Sequence, residues 1–267
     1  MTLAPLPIRR ARKAATAIHD RLRIRDAADI DVEGIAALHG LDVRRGGLPG
    51  ADARLVGTGD VGIIRLSTKI DHEGAQRFSV AHELGHRQLA HRSTALPSCE
   101  PAPLHVERGA EAEANAFAAE LLMPAQLLRR RCEISPVSLD DARAIAESYR
   151  VSLVAAALRF VELTSERCAV VFSRAGRVVW AARSDTFVPF IERRRRLCAA
   201  GIAFDWFRNG QLCTGSQPVP ADAWFDHDAD ADIEIIEDAV AVPAAAGVLS
   251  LLWIPERVAR RLRLERE

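Results

Sequence analysis

Two histidines and a glutamate, His82, Glu83 and His86, fall in the order His-Glu-x-x-His. On a helix, a four-residue interval puts both imidazoles on one face, where a single zinc ion can bridge them. Glu83 lies between them and to the side, placed to take a proton from water held by that metal. The flanks predict the helix. Phe78, Ala81, Leu84, Leu89 and Ala90 supply apolar cover, no proline falls between Arg77 and His91, and Ser79 is expected to cap the start.

Catalytic zinc usually keeps three protein ligands and leaves a fourth position for water, so a third donor is required. One route continues the helix as His-Glu-x-x-His-x-x-Gly-x-x-His, but positions 89 and 92 hold Leu89 and Arg92. His91 misses that place by one residue and is expected to lie too close along the helix to fold back. The other route takes a carboxylate from a later helix. Glu111 to Met123, stopped by Pro124, has Ala114, Phe117, Ala118, Leu121 and Leu122 at helical spacing. Glu111 shares the inward face with Ala114, Asn115 and Ala118 and is the chosen third ligand. Asn115, one turn on, is placed to orient a ligand histidine. Glu113 is the second choice, expected otherwise to be a solvated surface charge.

The segment from Gln76 to His86 and the run Glu111-x-x-Ala114-Asn115-x-Phe117-Ala118 into Leu121-Leu122-Met123-Pro124 resemble the ImmA/IrrE family of zinc metallo-endopeptidases. Ile30 to Ala36, followed by Gly40 to Val43, is similar to that family's opening helix and strand, and Arg54 to Ser67 to its strand pair. The likeness spans about residues 25 to 160. It implies a zincin-like domain, with His82, His86 and Glu111 as zinc ligands and Glu83 as catalytic base. It also implies a protease that cleaves a helix-turn-helix repressor encoded nearby, relieving repression of stress-response or mobile-element genes.

Several elements must position these residues. Residues 9 to 24 predict a basic amphipathic helix with Ala11, Ala14, Ala15, Ile18 and Leu22 buried, and Asp31 to His39 a short second helix started by Asp29 or Asp31. Gly46 to Gly62 predicts strands and tight turns, and Ile63, Ile64 and Leu66 the clearest strand. Gly62 to Ser67 is either an ordinary sheet strand or an edge to which substrate backbone adds. Arg92 to Ala110, with Pro97, Pro101 and Pro103, predicts a loop across the active-site mouth. His105 on that loop and Tyr149, the single tyrosine, are the candidates to stabilise an oxyanion, with packing the favoured account of Tyr149.

Ser138 to Leu163 predicts helix, short turn and helix, with Arg150-Val151-Ser152 at the turn. The second helix offers only Arg159 as a basic residue, too little to read base edges, so packing is expected over DNA binding. Beyond Arg167, Cys168 to Ser173 and Arg177 to Ala182 alternate around Ala175-Gly176 as a β-hairpin. Ile233 to Ile236 and Gly247 to Trp253 predict strands, and Val188 to Ala203 a helix carrying Arg193 to Arg196. Trp206, Phe207, Trp224, Phe225 and Trp253 are expected in a core, with a binding pocket as the other reading. The basic runs at Arg129 to Arg131, Arg193 to Arg196 and Arg257 to Arg266 are expected to be solvated helix faces.

The expected fold is α+β. A zincin-like metallopeptidase domain, a small sheet plus the HExxH helix, occupies residues 1–165 and includes the helix-turn-helix-like segment near 138–163. A smaller α+β domain at 166–267 is expected to sense a small molecule or hold a protein partner. At 267 residues, 49% apolar and with zero formal net charge, the chain can bury a sizeable core and has no global field for nucleic acid. No apolar run nears the roughly 18 residues of a membrane helix, and the N-terminus lacks a signal core, so the cytoplasm is the expected address. Five scattered cysteines without a Cys-x-x-Cys pair predict free or buried thiols. Two other classes remain open: a non-catalytic antirepressor that binds the repressor, and a DNA-binding regulator.

Overall fold

The computed structural model describes residues 4–48, 52–58, 61–91, 109–226 and 233–262. These divide into two units: residues up to 128 together with 144–156, and 129–143 together with the chain from 157 onward.

The first unit opens with α1 (Leu6–Leu22), whose buried stripe is Ile8, Ala11, Ala15 and Ile18, joined by His19. The short α2 (Val32–Leu38) begins where Asp31 accepts a hydrogen bond from the Gly34 amide at 3.0 Å. Three strands follow: β1 (Leu41–Gly46), β2 (Ala53–Thr58) and β3 (Val61–Ser67). Their order is β1-β3-β2, with β1 parallel and β2 antiparallel to β3. The strand at Gly62–Ser67 is therefore central. Both its sides are taken by neighbours, so it cannot be the edge that receives a substrate strand.

The long helix α3 (Glu73–Gln88) packs on β2 and β3. It starts after His72, well before Ser79, which is buried within it and caps nothing. Gly74 sits in its first turn, normally a poor place for glycine. A Cβ there would come within 2.5 Å of the Val151 carbonyl carbon and 2.6 Å of the Ser152 nitrogen. Gly74→Ala is thus expected to destabilise this unit by about 1–3 kcal/mol. Far-UV circular dichroism melts test this, and an unchanged midpoint would mean the Val151–Ser152 turn yields freely.

Helix α4 (Ala110–Leu122) packs against both α3 and α1, with Ala114, Phe117, Ala118, Leu121 and Leu122 fully buried. A one-turn α5 (Ala125–Leu128) follows Pro124 and runs into a 3-10 turn at Arg129–Cys132. The predicted helix-turn-helix is present as α6 (Leu139–Tyr149) and α7 (Leu153–Leu163). Arg150 between them takes a left-handed φ of 53°.

The second unit is built on an antiparallel sheet of order β5-β4-β8-β7-β6. Its strands are β4 (Cys168–Arg174), β5 (Arg177–Arg183), β6 (Gln217–Pro220), β7 (Glu234–Val242) and β8 (Gly247–Trp253). The predicted hairpin turns at Ala175 and Gly176, both with positive φ, as a two-residue primed turn demands. Val188–Ala203 is not the expected helix. Pro189 interrupts it, and the arginine run lies along β5, where Arg194 and Arg195 exchange backbone hydrogen bonds with Val178. The helix in this region, α8 (Ile202–Asn209), begins only after Gly201. A last helix, α9 (Glu256–Arg261), follows β8. Trp224 and Phe225 are core residues, and Trp206 and Phe207 pack half-buried against that core. Trp253 donates its indole N–H to Glu166 at 2.8 Å. Cys132 and Cys168 are buried free thiols, and Cys198 and Cys213 exposed ones.

Candidate metal centre

The centre is assembled by two helices that touch. At Gly85 the surfaces of α3 and α4 come so close that a Cβ would lie 3.0 Å from the Phe117 ring and 3.3 Å from Ala114 Cα. This close approach carries Glu111, in the first turn of α4, over the histidine face of α3.

His82, Glu83 and His86 are almost wholly buried. The Nε2 atoms of His82 and His86 lie 2.9 Å apart. Glu111 Oε2 is 3.3 Å from the first and 3.4 Å from the second. Two imidazole nitrogens and a carboxylate oxygen thus converge within 4.8 Å of one another. Ligands around a tetrahedral zinc with bonds of ~2.0–2.1 Å sit roughly 3.3 Å apart, so the donor set and its spacing fit such an ion. Glu113 is not in this triangle.

Each histidine is held from behind. His82 Nδ1–H donates to Asn115 Oδ1 at 2.8 Å and leaves the Nε2 lone pair facing Glu111. His86 Nδ1 meets His91 Nδ1 at 3.0 Å. His91 is not one of the three converging donors, but its ring does fold back onto the helix. Ala90 adopts a left-handed φ of 56°, and the His91 and Ala90 amides bond to the His86 and Arg87 carbonyls at 2.9 and 3.2 Å. That is a Schellman ending, usually made by glycine, and it swings the His91 ring back onto His86. Glu113, expected in solvent, is instead largely covered and stands 3.6 Å from His91 Nε2. Neither residue's role was visible in the sequence. An alanine at the left-handed position gave no turn signal.

The electrostatics suit metal ligation. Burial, then the neighbouring His82, push the His86 imidazole down to about 4, so it is neutral at pH 7 and free to ligate. Burial alone would raise the Glu111 carboxyl, but the facing His82 and His86 outweigh it and hold Glu111 below the usual value. Glu83 goes the other way. Burial raises it above an ordinary glutamate, partly offset by His82 and by the Leu55 N–H of β2, which donates to Glu83 Oε2 at 3.1 Å. Tyr149 is buried at the end of α6. His105 lies outside the described residues.

Residues 36–161 match the family model Peptidase_M78, the IrrE N-terminal-like domain. This segment belongs to the ImmA/IrrE family. All four residues of the His82, Glu83, His86 and Glu111 constellation fall within it, in an ImmA/IrrE peptidase-type domain. No curated protein matches the chain. Among solved structures, a Mycobacterium tuberculosis transcriptional regulator is similar with a TM-score of 0.58 at 13% identity, over 91% of this chain and 76% of that one. At that identity the likeness speaks for the fold alone. No helix among the described residues is long and apolar enough to cross a membrane.

Proposed function

We propose that this protein is a zinc-dependent endopeptidase that cleaves a helix-turn-helix transcriptional repressor. The observation that carries this reading is the convergence of His82 Nε2, His86 Nε2 and Glu111 Oε2, with the Glu83 carboxyl buried beside them. A set of two histidines and one carboxylate matches hydrolytic zinc sites, whereas structural zinc is usually closed by four Cys or His ligands. When bound, zinc would lower the pKa of its water toward ~7 and polarise the scissile carbonyl.

The chain's own residues do the rest. Asn115 holds His82 in the tautomer that ligates. Glu83, made more basic by burial, accepts the proton of the attacking water and passes it to the leaving amine nitrogen. The Leu55 amide fixes the Glu83 carboxylate while it does so. An extended substrate segment would enter along β2, the flanking strand that brings Leu55 to Glu83.

The repressor substrate rests on the ImmA/IrrE resemblance, as do derepression of stress-response or mobile-element genes and a cytoplasmic address. A boundary near residue 165, with a C-terminal part that senses a ligand or partner, belongs to the same proposal. Direct DNA reading by α7 is disfavoured: Arg159, its only basic residue, is buried and paired with Glu162 at 2.9 Å.

The test is incubation of the purified protein with the helix-turn-helix repressor encoded beside it, with metal content measured in parallel. Cleavage that stops on chelation and returns with zinc is expected. Glu111→Ala and His86→Ala should each weaken zinc binding by about 100-fold or more, given that breaking a buried charged set costs several kcal/mol. Repressor binding without cleavage by zinc-loaded protein would replace this reading with the antirepressor.

A further inference from the structure

We infer that His91 and Glu113 position His86 for metal binding, forming a second support for the ligand set beside the one that Asn115 gives His82. The inference rests on the metal-site reading above and deepens it. It starts from proton counting. His86 Nδ1 and His91 Nδ1 face each other at 3.0 Å, and only one of the two nitrogens can carry the hydrogen between them.

If His91 were the donor, the remaining proton of a neutral His86 would sit on Nε2. That nitrogen stands 2.9 Å from His82 Nε2 and 3.4 Å from Glu111 Oε2, and protonated it ligates nothing. If His86 is the donor, its Nε2 lone pair faces the other two ligand atoms. His91 must then accept at Nδ1 and carry its own proton on Nε2. Glu113 selects between these states. Its Oε2 lies 3.6 Å from His91 Nε2, just beyond hydrogen-bond length, and a carboxylate there favours hydrogen on that nitrogen. The carboxylate thus sets His91, and His91 sets His86.

Backbone and packing agree with a built device. The left-handed turn at Ala90 is a conformation that alanine adopts only at a cost, and it is what returns His91 to His86. The imidazoles meet edge to face, with centroids 5.1 Å apart and an interplanar angle of 70°. The side chains of His91 and Glu113 are 12% and 16% exposed, so water competes little for the contact. Glu113 stands two residues from Glu111 on α4, so one helix turn supplies both a ligand and the anchor of the support for another. His82 is oriented by a neutral amide, while His86 is oriented by an imidazole backed by a carboxylate.

The experiment measures zinc affinity of the full chain by chelator competition, alongside the melting temperature of each metal-free protein. His91→Ala is expected to weaken zinc binding by about 10- to 100-fold, the usual cost of removing such a partner. His91→Asn places an amide oxygen near the Nδ1 position and should return affinity to within about threefold of wild type. Glu113→Gln should weaken it by about 10-fold. Nitrogen-15 spectra of metal-free protein should show His86 protonated at Nδ1 in wild type and a mixed tautomer in His91→Ala. Wild-type affinity in His91→Ala overturns the inference. So does failure of the asparagine to restore affinity in a protein that melts like wild type. If His91→Ala unfolds early, the asparagine and Glu113→Gln proteins carry the comparison. A wild type that binds no zinc would instead overturn the metal-site reading itself, and this inference with it.

Discussion

Glu83→Gln is expected to keep the metal and lose turnover, by about 10²- to 10⁴-fold, the scale of a positioned general base. The amide has the shape of the carboxylate and can still accept the Leu55 N–H through its oxygen. None of the three ligand atoms is altered, so zinc content should match wild type. What disappears is a proton acceptor whose basicity burial has raised. Initial rates on the repressor and metal analysis of the same preparations give the answer together. Residual cleavage above about 10% of wild type would remove Glu83 from the proton-transfer role assigned to it.

The second large effect concerns stability. Glu237, on β7, is 0% exposed and accepts four hydrogen bonds. Its Oε2 takes the Ile202 amide at 2.9 Å and the Trp224 indole at 3.0 Å. Its Oε1 takes the Ala203 amide at 3.1 Å and the Ser250 hydroxyl at 3.0 Å. Burial pushes its pKa up, and these donors pull the other way. The first two amides of α8 have no local side-chain cap, so this remote carboxylate serves both. Glu237→Ala strands four donors in the interior and is expected to cost about 3–5 kcal/mol. All four tryptophans, Trp180, Trp206, Trp224 and Trp253, lie in this unit, so their fluorescence during urea unfolding isolates the effect. A loss below about 1 kcal/mol would mean that water replaces the carboxylate.

The group of residues that could hold a metal was legible because its chemistry and its periodicity coincide. His82 and His86 fall one helical turn apart, and Glu111 shares its inward face with Asn115 on a helix closed by Pro124. The hairpin at Ala175-Gly176 and the α6–α7 pair were visible for similar local reasons. What stayed hidden depends on contacts distant in sequence or on weak local signals. The central place of β3 follows from β1 pairing with it across an intervening strand. The early start of α3 includes Gly74, a helix-poor residue that the nearby backbone of Val151 requires. Nothing in the local sequence marks Glu237 as the cap of a helix more than thirty residues earlier. The Pro218 and Pro220 of β6 argue against a strand, yet an outermost strand tolerates them.

The contact of α3 with α4 at Gly85 has a consequence for control. Apolar packing of Ala114, Phe117 and Ala118 fixes the frame that brings the three donor atoms together. Stripping an ion from the proposed site should therefore end the proposed activity without unfolding the protein, and resupply should need no refolding. The proposed activity would then follow the local availability of a metal on the time scale of ligand exchange, leaving the protein's abundance untouched.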